Sequence, residues 1–206
     1  MLGCINAVKV YDKKRVLNNV DITCNTGEIT GIIGRNGAGK TVLFKALCGL
    51  ITLDEGKVLF DDKEKPNGKM LEDVGVIIEE PAFLGKSSGL KNLEYLYMIK
   101  HKLDRKYLKS VLEKVGLDPD SSKKVEKYSL GMRQRLAIAQ AIMENPKYLI
   151  LDEPFNGLDN NGVQEIRKLL LEMKQMGKTI LVASHNPEDI NILCDKVYRM
   201  DGGVLI

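Results

Sequence analysis

Only two histidines and no C-x-x-C pair leave this 206-residue chain poor in metal-ligating chemistry. Its four cysteines, Cys4, Cys24, Cys48 and Cys194, are scattered, and two histidines cannot complete a zinc site with them. They read as reduced cytosolic thiols, mostly buried. No apolar run approaches the length of a membrane span, so any membrane role needs another polypeptide. Leu2-Gly3-Cys4 has the look of a lipoprotein cleavage site but lacks the basic and apolar segments that precede one. The net charge of +3 is too small to argue for nucleic acid. The basic clusters Lys13-Lys14-Arg15, Lys100 to Lys109 and Lys123-Lys124 read first as solvated faces, with a membrane-surface or partner contact as the alternative. There is no internal repeat and no low-complexity linker.

What is present is enough for one folded unit over residues 1–206. A composition 44% hydrophobic and 29% charged fits a soluble globular protein. The most informative stretch is Gly34-Arg35-Asn36-Gly37-Ala38-Gly39-Lys40-Thr41, a G-x-x-x-x-G-K-[ST] phosphate-binding loop. It follows the apolar run Ile29 to Ile33 and opens a helical pattern from Thr41 to Leu50, the strand–loop–helix context such a loop requires. Glycines let the backbone wrap close around phosphate oxygens. The inward N–H groups and the helix N-terminus supply positive potential. Lys40 can reach terminal phosphates, and the Thr41 hydroxyl can ligate Mg²⁺.

Along the chain, Gly3 to Asn25 reads as an antiparallel start. A buried strand is expected at Gly27 to Ile33, a short one at Lys57 to Phe60, apolar ones at Val74 to Ile78 and Tyr148 to Leu151, and another at Thr179 to Ala183. Pro66-Asn67-Gly68 reads as a turn. Helical spacing marks Leu93 to Lys100, Tyr107 to Val115, Met132 to Glu144, Asn161 to Met176 and Pro187 to Cys194. The chain closes on a hairpin from Lys196 to Ile206. Strands alternating with helices predict an α/β fold: a mostly parallel sheet core, an antiparallel β subdomain, and a helical subdomain inserted at about 88–145.

Two further motifs carry chemistry. Tyr148 to Glu153 is an apolar strand ending in two carboxylates, costly unless the charges have partners or work. Beside a phosphate-binding loop, Asp152 can hold Mg²⁺ and Glu153 can orient or deprotonate an attacking water. Ser129-Leu130-Gly131-Met132-Arg133-Gln134 offers an N-cap serine and a glycine amide at a helix start, which is an anion site or an ordinary cap.

The order of these motifs, followed by Leu158-Asp159 and Ser184-His185, resembles the ATP-binding cassette (ABC) ATPases over nearly the whole chain. The resemblance implies a P-loop NTPase of the ABC ATPase fold, an ATPase that uses ATP and Mg²⁺. It places Tyr11 where an aromatic stacks on adenine, although a strand-edge tyrosine reads equally well. Asn156 to Asp159 matches the loop that couples two nucleotide sites, and His185 matches a switch histidine on the γ-phosphate. Ser129 and Gly131 are implied to act in trans, on ATP held by a second cassette.

Leu130 and Met132 depart from the family's usual signature. Glu79, where a glutamine is usual, puts a carboxylate within reach of Mg²⁺ or water and adds negative charge near the triphosphate. Ile78-Glu79-Glu80-Pro81-Ala82-Phe83 together with Ser129 to Met132 is similar to cassettes of lantibiotic and peptide-antibiotic exporters. The chain is therefore expected to be the ATP-hydrolysing subunit of an exporter. It would pair with a second nucleotide-binding subunit and sit on the cytoplasmic face of the membrane through separate transmembrane subunits. No regulatory domain is expected after the last strand. The alternative is a cytosolic ABC ATPase acting on nucleic acid or the ribosome.

Overall fold

The computed structural model describes all 206 residues. A hairpin of β1 (Leu2–Tyr11) and β2 (Lys14–Cys24) opens the chain, and β3 (Ile29–Ile33) leads through a glycine-rich loop into α1 (Lys40–Leu47). Next come β4 (Glu55–Phe60), β5 (Lys63–Lys65) and β6 (Val74–Ile77). Three helices follow, α2 (Gly89–Tyr97), α3 (Arg105–Lys114) and α4 (Leu130–Ile142), with one 3₁₀ turn at Val125–Lys127. The rest alternates: β7 (Tyr148–Asp152), α5 (Asn160–Gln175), β8 (Thr179–Ala183), α6 (Pro187–Leu193), then β9 (Lys196–Asp201) and β10 (Val204–Leu205).

Four strands form an antiparallel sheet in the order β2-β1-β4-β5. Six form a second sheet in the order β10-β9-β3-β8-β7-β6, parallel except for the terminal β9-β10 hairpin. The uniformly apolar strands β7 and β8 lie between two cores. Leu149, Leu151, Ile180 and Val182 pack with residues of the helical segment, α5 and α6. Tyr148, Ile150, Leu181 and Ala183 pack with Leu43, Phe44 and Leu47 of α1 and with the antiparallel sheet. A strand covered on both faces has no polar side to present, which is why these segments read as continuous apolar runs.

The helices form where spacing and caps agree. Asp104 accepts from the Tyr107 N–H to start α3, and Asp159 accepts from the Gly162 N–H to start α5. α1 stops at Leu47, earlier than the apolar pattern predicts. Gly49 then takes φ +74°, with the Lys69 carbonyl where a Cβ would stand. The exposed strand β5 and the 3₁₀ turn have no counterpart among the sequence expectations. Lys63-Glu64-Lys65 carries no apolar residue to signal a strand. No helix is long and apolar enough to cross a membrane.

Candidate functional site

Four neighbouring parallel strands, in the order β3-β8-β7-β6, present their C-terminal ends at one edge of the sheet. In open α/β sheets that edge is where ligands bind. From β3 runs the 34–39 loop, from β7 come Asp152 and Glu153, from β8 the Ser184-His185 pair, and just beyond β6 lies Glu79. Residues scattered over most of the chain thus converge because their strands are adjacent.

The loop has the backbone that its glycines permit. Gly37 and Gly39 take φ +79° and +112°, and a Cβ on Gly39 would strike the Val16 carbonyl and Met200. Gly39 leads α1 without any side-chain cap, so the first helical N–H groups keep their capacity for an anion. Lys40 is 6% exposed and has no carboxylate partner; its ammonium donates to the Gly34 carbonyl at 2.8 Å and the Arg35 carbonyl at 3.4 Å. Arg35, Asn36, Gly37, Lys40, Thr41 and Asp152 are among the residues lining a cavity of about 370 Å³.

The Thr41 hydroxyl donates to Asp152 Oδ2 at 2.6 Å. Burial holds the Asp152 carboxyl above its ordinary range, against the pull of Thr41 and Lys40 and helped by the charges of Glu153 and Glu79. A buried carboxylate raised in this way is a place where added positive charge is favourable. No group of three or more His, Cys, Asp or Glu side chains is arranged to hold a metal ion. The Thr41 hydroxyl and the Asp152 carboxylate, with Glu79 lining the adjoining cavity, could serve a hard cation that takes its remaining ligands from phosphate and water.

Glu153 follows at φ +51°, an uncommon conformation for a residue with a side chain. Its N–H is held by the Ala183 carbonyl at 2.9 Å. The Gln134 amide of α4 donates to the Pro154 carbonyl at 3.0 Å and the Glu153 carbonyl at 3.4 Å. Glu153 Oε2 lies 2.8 Å from His185 Nδ1 and also accepts the His185 backbone N–H at 3.3 Å. The His185 side chain is otherwise open, 65% exposed.

Glu79 lines a neighbouring cavity of about 520 Å³ together with Thr41, Asp152 and Glu153. It does not stand alone as a negative charge, because Lys45 of α1 pairs with it at 2.6 Å. Ser129 caps α4, its hydroxyl accepting the Met132 N–H at 3.2 Å. Gly131 packs so closely on Gly157 that a Cβ would lie 2.7 Å from the Gly157 carbonyl oxygen. Neither Ser129 nor Gly131 lines the cavity of the 34–41 loop, and neither does Tyr11. Tyr11 is 43% exposed at the end of β1, with the Lys9 ammonium 5.3 Å from its ring centroid.

Val16, Gln134 and Lys45 complete the site without having been singled out by sequence reasoning. Gln134 sits inside the Ser129 motif, which was the available signal. Val16 and Lys45 carry none. Burial pushes all four cysteine thiols up to about 12, so none is poised for chemistry.

A family model described as "ABC transporter" matches residues 17–156. YybJ, an ABC transporter ATP-binding protein of Bacillus subtilis, is 40% identical over 206 residues, covering 100% of this chain and 94% of YybJ. The lantibiotic transport ATP-binding protein SrtF of Streptococcus pyogenes is 38% identical over 206 residues, covering 100% of this chain and 89% of SrtF. Among solved structures, the dimeric bacterial ABC transporter cassette MJ0796 matches with a TM-score of 0.89, covering 100% of this chain and 96% of that one. At 23% identity that likeness concerns the fold.

Proposed function

The chain belongs to the ABC transporter family as an ATP-binding, ATP-hydrolysing subunit, and from that premise we propose that it drives export of a peptide antibiotic through separate membrane subunits. The likeness to SrtF supports the peptide class. One observation carries the enzymatic part of the reading. The loop lysine, the Thr41–Asp152 pair and the Glu153–His185 pair meet at the ends of adjacent strands, with hydrogen bonds of 2.6 and 2.8 Å inside the two pairs.

In this reading the 34–39 loop and the start of α1 bind the ATP phosphates. Lys40 exchanges its two carbonyl acceptors for phosphate oxygens. Thr41 and Asp152 hold Mg²⁺, which when bound offsets phosphate charge. Glu153 accepts a proton from the attacking water, and His185 keeps that carboxylate aimed while its exposed ring faces the phosphate. Glu79, neutralised by Lys45, lies at the margin and reports nucleotide state toward the helical segment. Tyr11 stacks on adenine at the outer edge.

Ser129 and Gly131 serve a second copy or a related cassette. Neither lines the cavity of the chain's own phosphate loop, which supports a site shared between two subunits. Loss of the γ-phosphate charge then loosens the pair, as in other phosphate-gated switches.

The test is affinity capture of the chain from detergent-solubilised native membranes, with co-purifying proteins identified by mass spectrometry. A stoichiometric polytopic membrane protein is expected. Recovery with ribosomes or nucleic acid and no membrane protein would contradict the transport reading.

A further inference from the structure

Arg167 of α5 and Asp189 of α6 form the most deeply buried ion pair in the molecule, each side chain 3% exposed. Asp189 Oδ1 accepts from Arg167 Nε at 3.0 Å and Nη2 at 2.6 Å, and Glu188 accepts from Nη1 at 3.1 Å. Burying two charges is expensive, and such a pair contributes little net stability relative to apolar residues of the same size. Its chemical consequence lies at the other carboxylate oxygen. Asp189 Oδ2 accepts the Ser184 hydroxyl at 2.9 Å, and Ser184 Oγ accepts the Asn186 N–H at 3.1 Å. Ser184 and Asn186 flank His185.

The His185 side chain makes its single hydrogen bond to Glu153. Nothing else grips the ring, so its aim depends on the backbone at 184–186. That backbone is clamped from behind by Ser184, through Asp189, to Arg167. Because Arg167 uses a two-pronged grip, Asp189 cannot rotate without losing both bonds. α5 also begins directly after the Asn156-Gly157-Leu158-Asp159 segment, so the clamp is anchored on the helix that this segment starts.

We propose that Arg167 and Asp189 are positioning residues for ATP hydrolysis, which fix the His185 loop so that His185 holds Glu153 in its productive orientation. The inference rests on the role proposed above for His185 and Glu153. Neither residue touches the nucleotide cavity, so the effect falls on turnover and leaves binding unchanged.

Arg167→Lys keeps the charge and the fold but loses the two-pronged grip. It is expected to lower kcat about tenfold, as small misplacements in a reacting constellation do, with the melting temperature and the Kd for a fluorescent ATP analogue close to wild type. The double substitution Arg167→Met/Asp189→Leu removes both buried charges. It is expected to melt somewhat below wild type because the buried Ser184 hydroxyl loses its acceptor, to keep the wild-type Kd for the ATP analogue, and still to turn over slowly. Adding Arg167→Lys to His185→Ala should cost nothing beyond His185→Ala alone, because the clamp acts through that residue.

Wild-type turnover in Arg167→Met/Asp189→Leu would overturn the proposal. So would a full further loss when Arg167→Lys is added to His185→Ala. If His185→Ala alone hydrolysed ATP at the wild-type rate, the reading of the site itself would fail, and the clamp would fall with it.

Discussion

Lys40 is an ammonium almost removed from water with nothing but two carbonyl oxygens to satisfy it. That is a weak resting arrangement and a strong one for phosphate. Lys40→Ala is expected to weaken ATP binding about a hundredfold or more, in the range found when one partner of a buried charged pair is removed, as measured by equilibrium titration with a fluorescent analogue. Affinity near wild type would remove the loop from the site. Glu79 stands where the family resemblance leads one to expect glutamine, and Lys45 meets it with an opposite charge. The Glu79 side chain is 63% exposed, so the pair contributes at most about 1 kcal/mol to stability. Glu79→Gln is therefore expected to keep its melting temperature and its basal hydrolysis while changing how hydrolysis couples to transport. Complete loss of basal hydrolysis would put Glu79 in direct contact with the chemistry.

At the scale of elements, what the sequence displayed depended on how local each cause was. β7 and β8 were legible because burial on both faces writes a continuous apolar run, and α5 because one apolar face repeats at helical spacing. β5 was not, since Lys63-Glu64-Lys65 pairs through its backbone along an exposed edge. The glycine loop and the Asp152-Glu153 strand end announced themselves as short motifs. Their meeting did not: the order β3-β8-β7-β6 is a tertiary fact, and Glu153 and His185 lie 32 residues apart. The Lys45–Glu79 pair spans 34 residues and has no local signal.

The join between the two sheets was equally invisible. Tyr148, fully buried at the start of β7, donates its hydroxyl at 2.6 Å to Asp61 in the β4-β5 turn. Lys147, then Tyr148, hold the Asp61 carboxyl below its ordinary value. A depressed carboxylate stabilises the fold above its unfolded pKa, and the benefit is lost as pH falls through the folded value. Asp61→Ala leaves the Tyr148 hydroxyl unpaired and is expected to cost about 1–3 kcal/mol at neutral pH. In urea denaturation the gap to wild type should narrow below pH 4 or so. A gap that stayed constant across that range would show that Asp61 acts by packing alone.

For the whole molecule, one chemical site is, in the proposed reading, divided between two copies. The phosphate loop, Asp152 and Glu153 sit on the edge of the parallel sheet, whereas Ser129 and Gly131 sit at the start of α4, outside that cavity. Two inactive variants, Lys40→Ala and Ser129→Ala, should therefore rescue each other when mixed, because one of the two shared sites in the mixed pair is intact. An absence of rescue across all mixing ratios would return Ser129 to the role of a helix cap.

The most direct measurement uses Glu153→Gln, which should leave binding intact and slow hydrolysis about 10²–10⁴-fold, the usual share of a general base. Light scattering coupled to size exclusion, with ATP and Mg²⁺ present, is expected to give twice the 23.0 kDa of one chain, and the monomer mass with ADP. A variant that stays monomeric with ATP bound, or that hydrolyses ATP at the wild-type rate, would contradict the account.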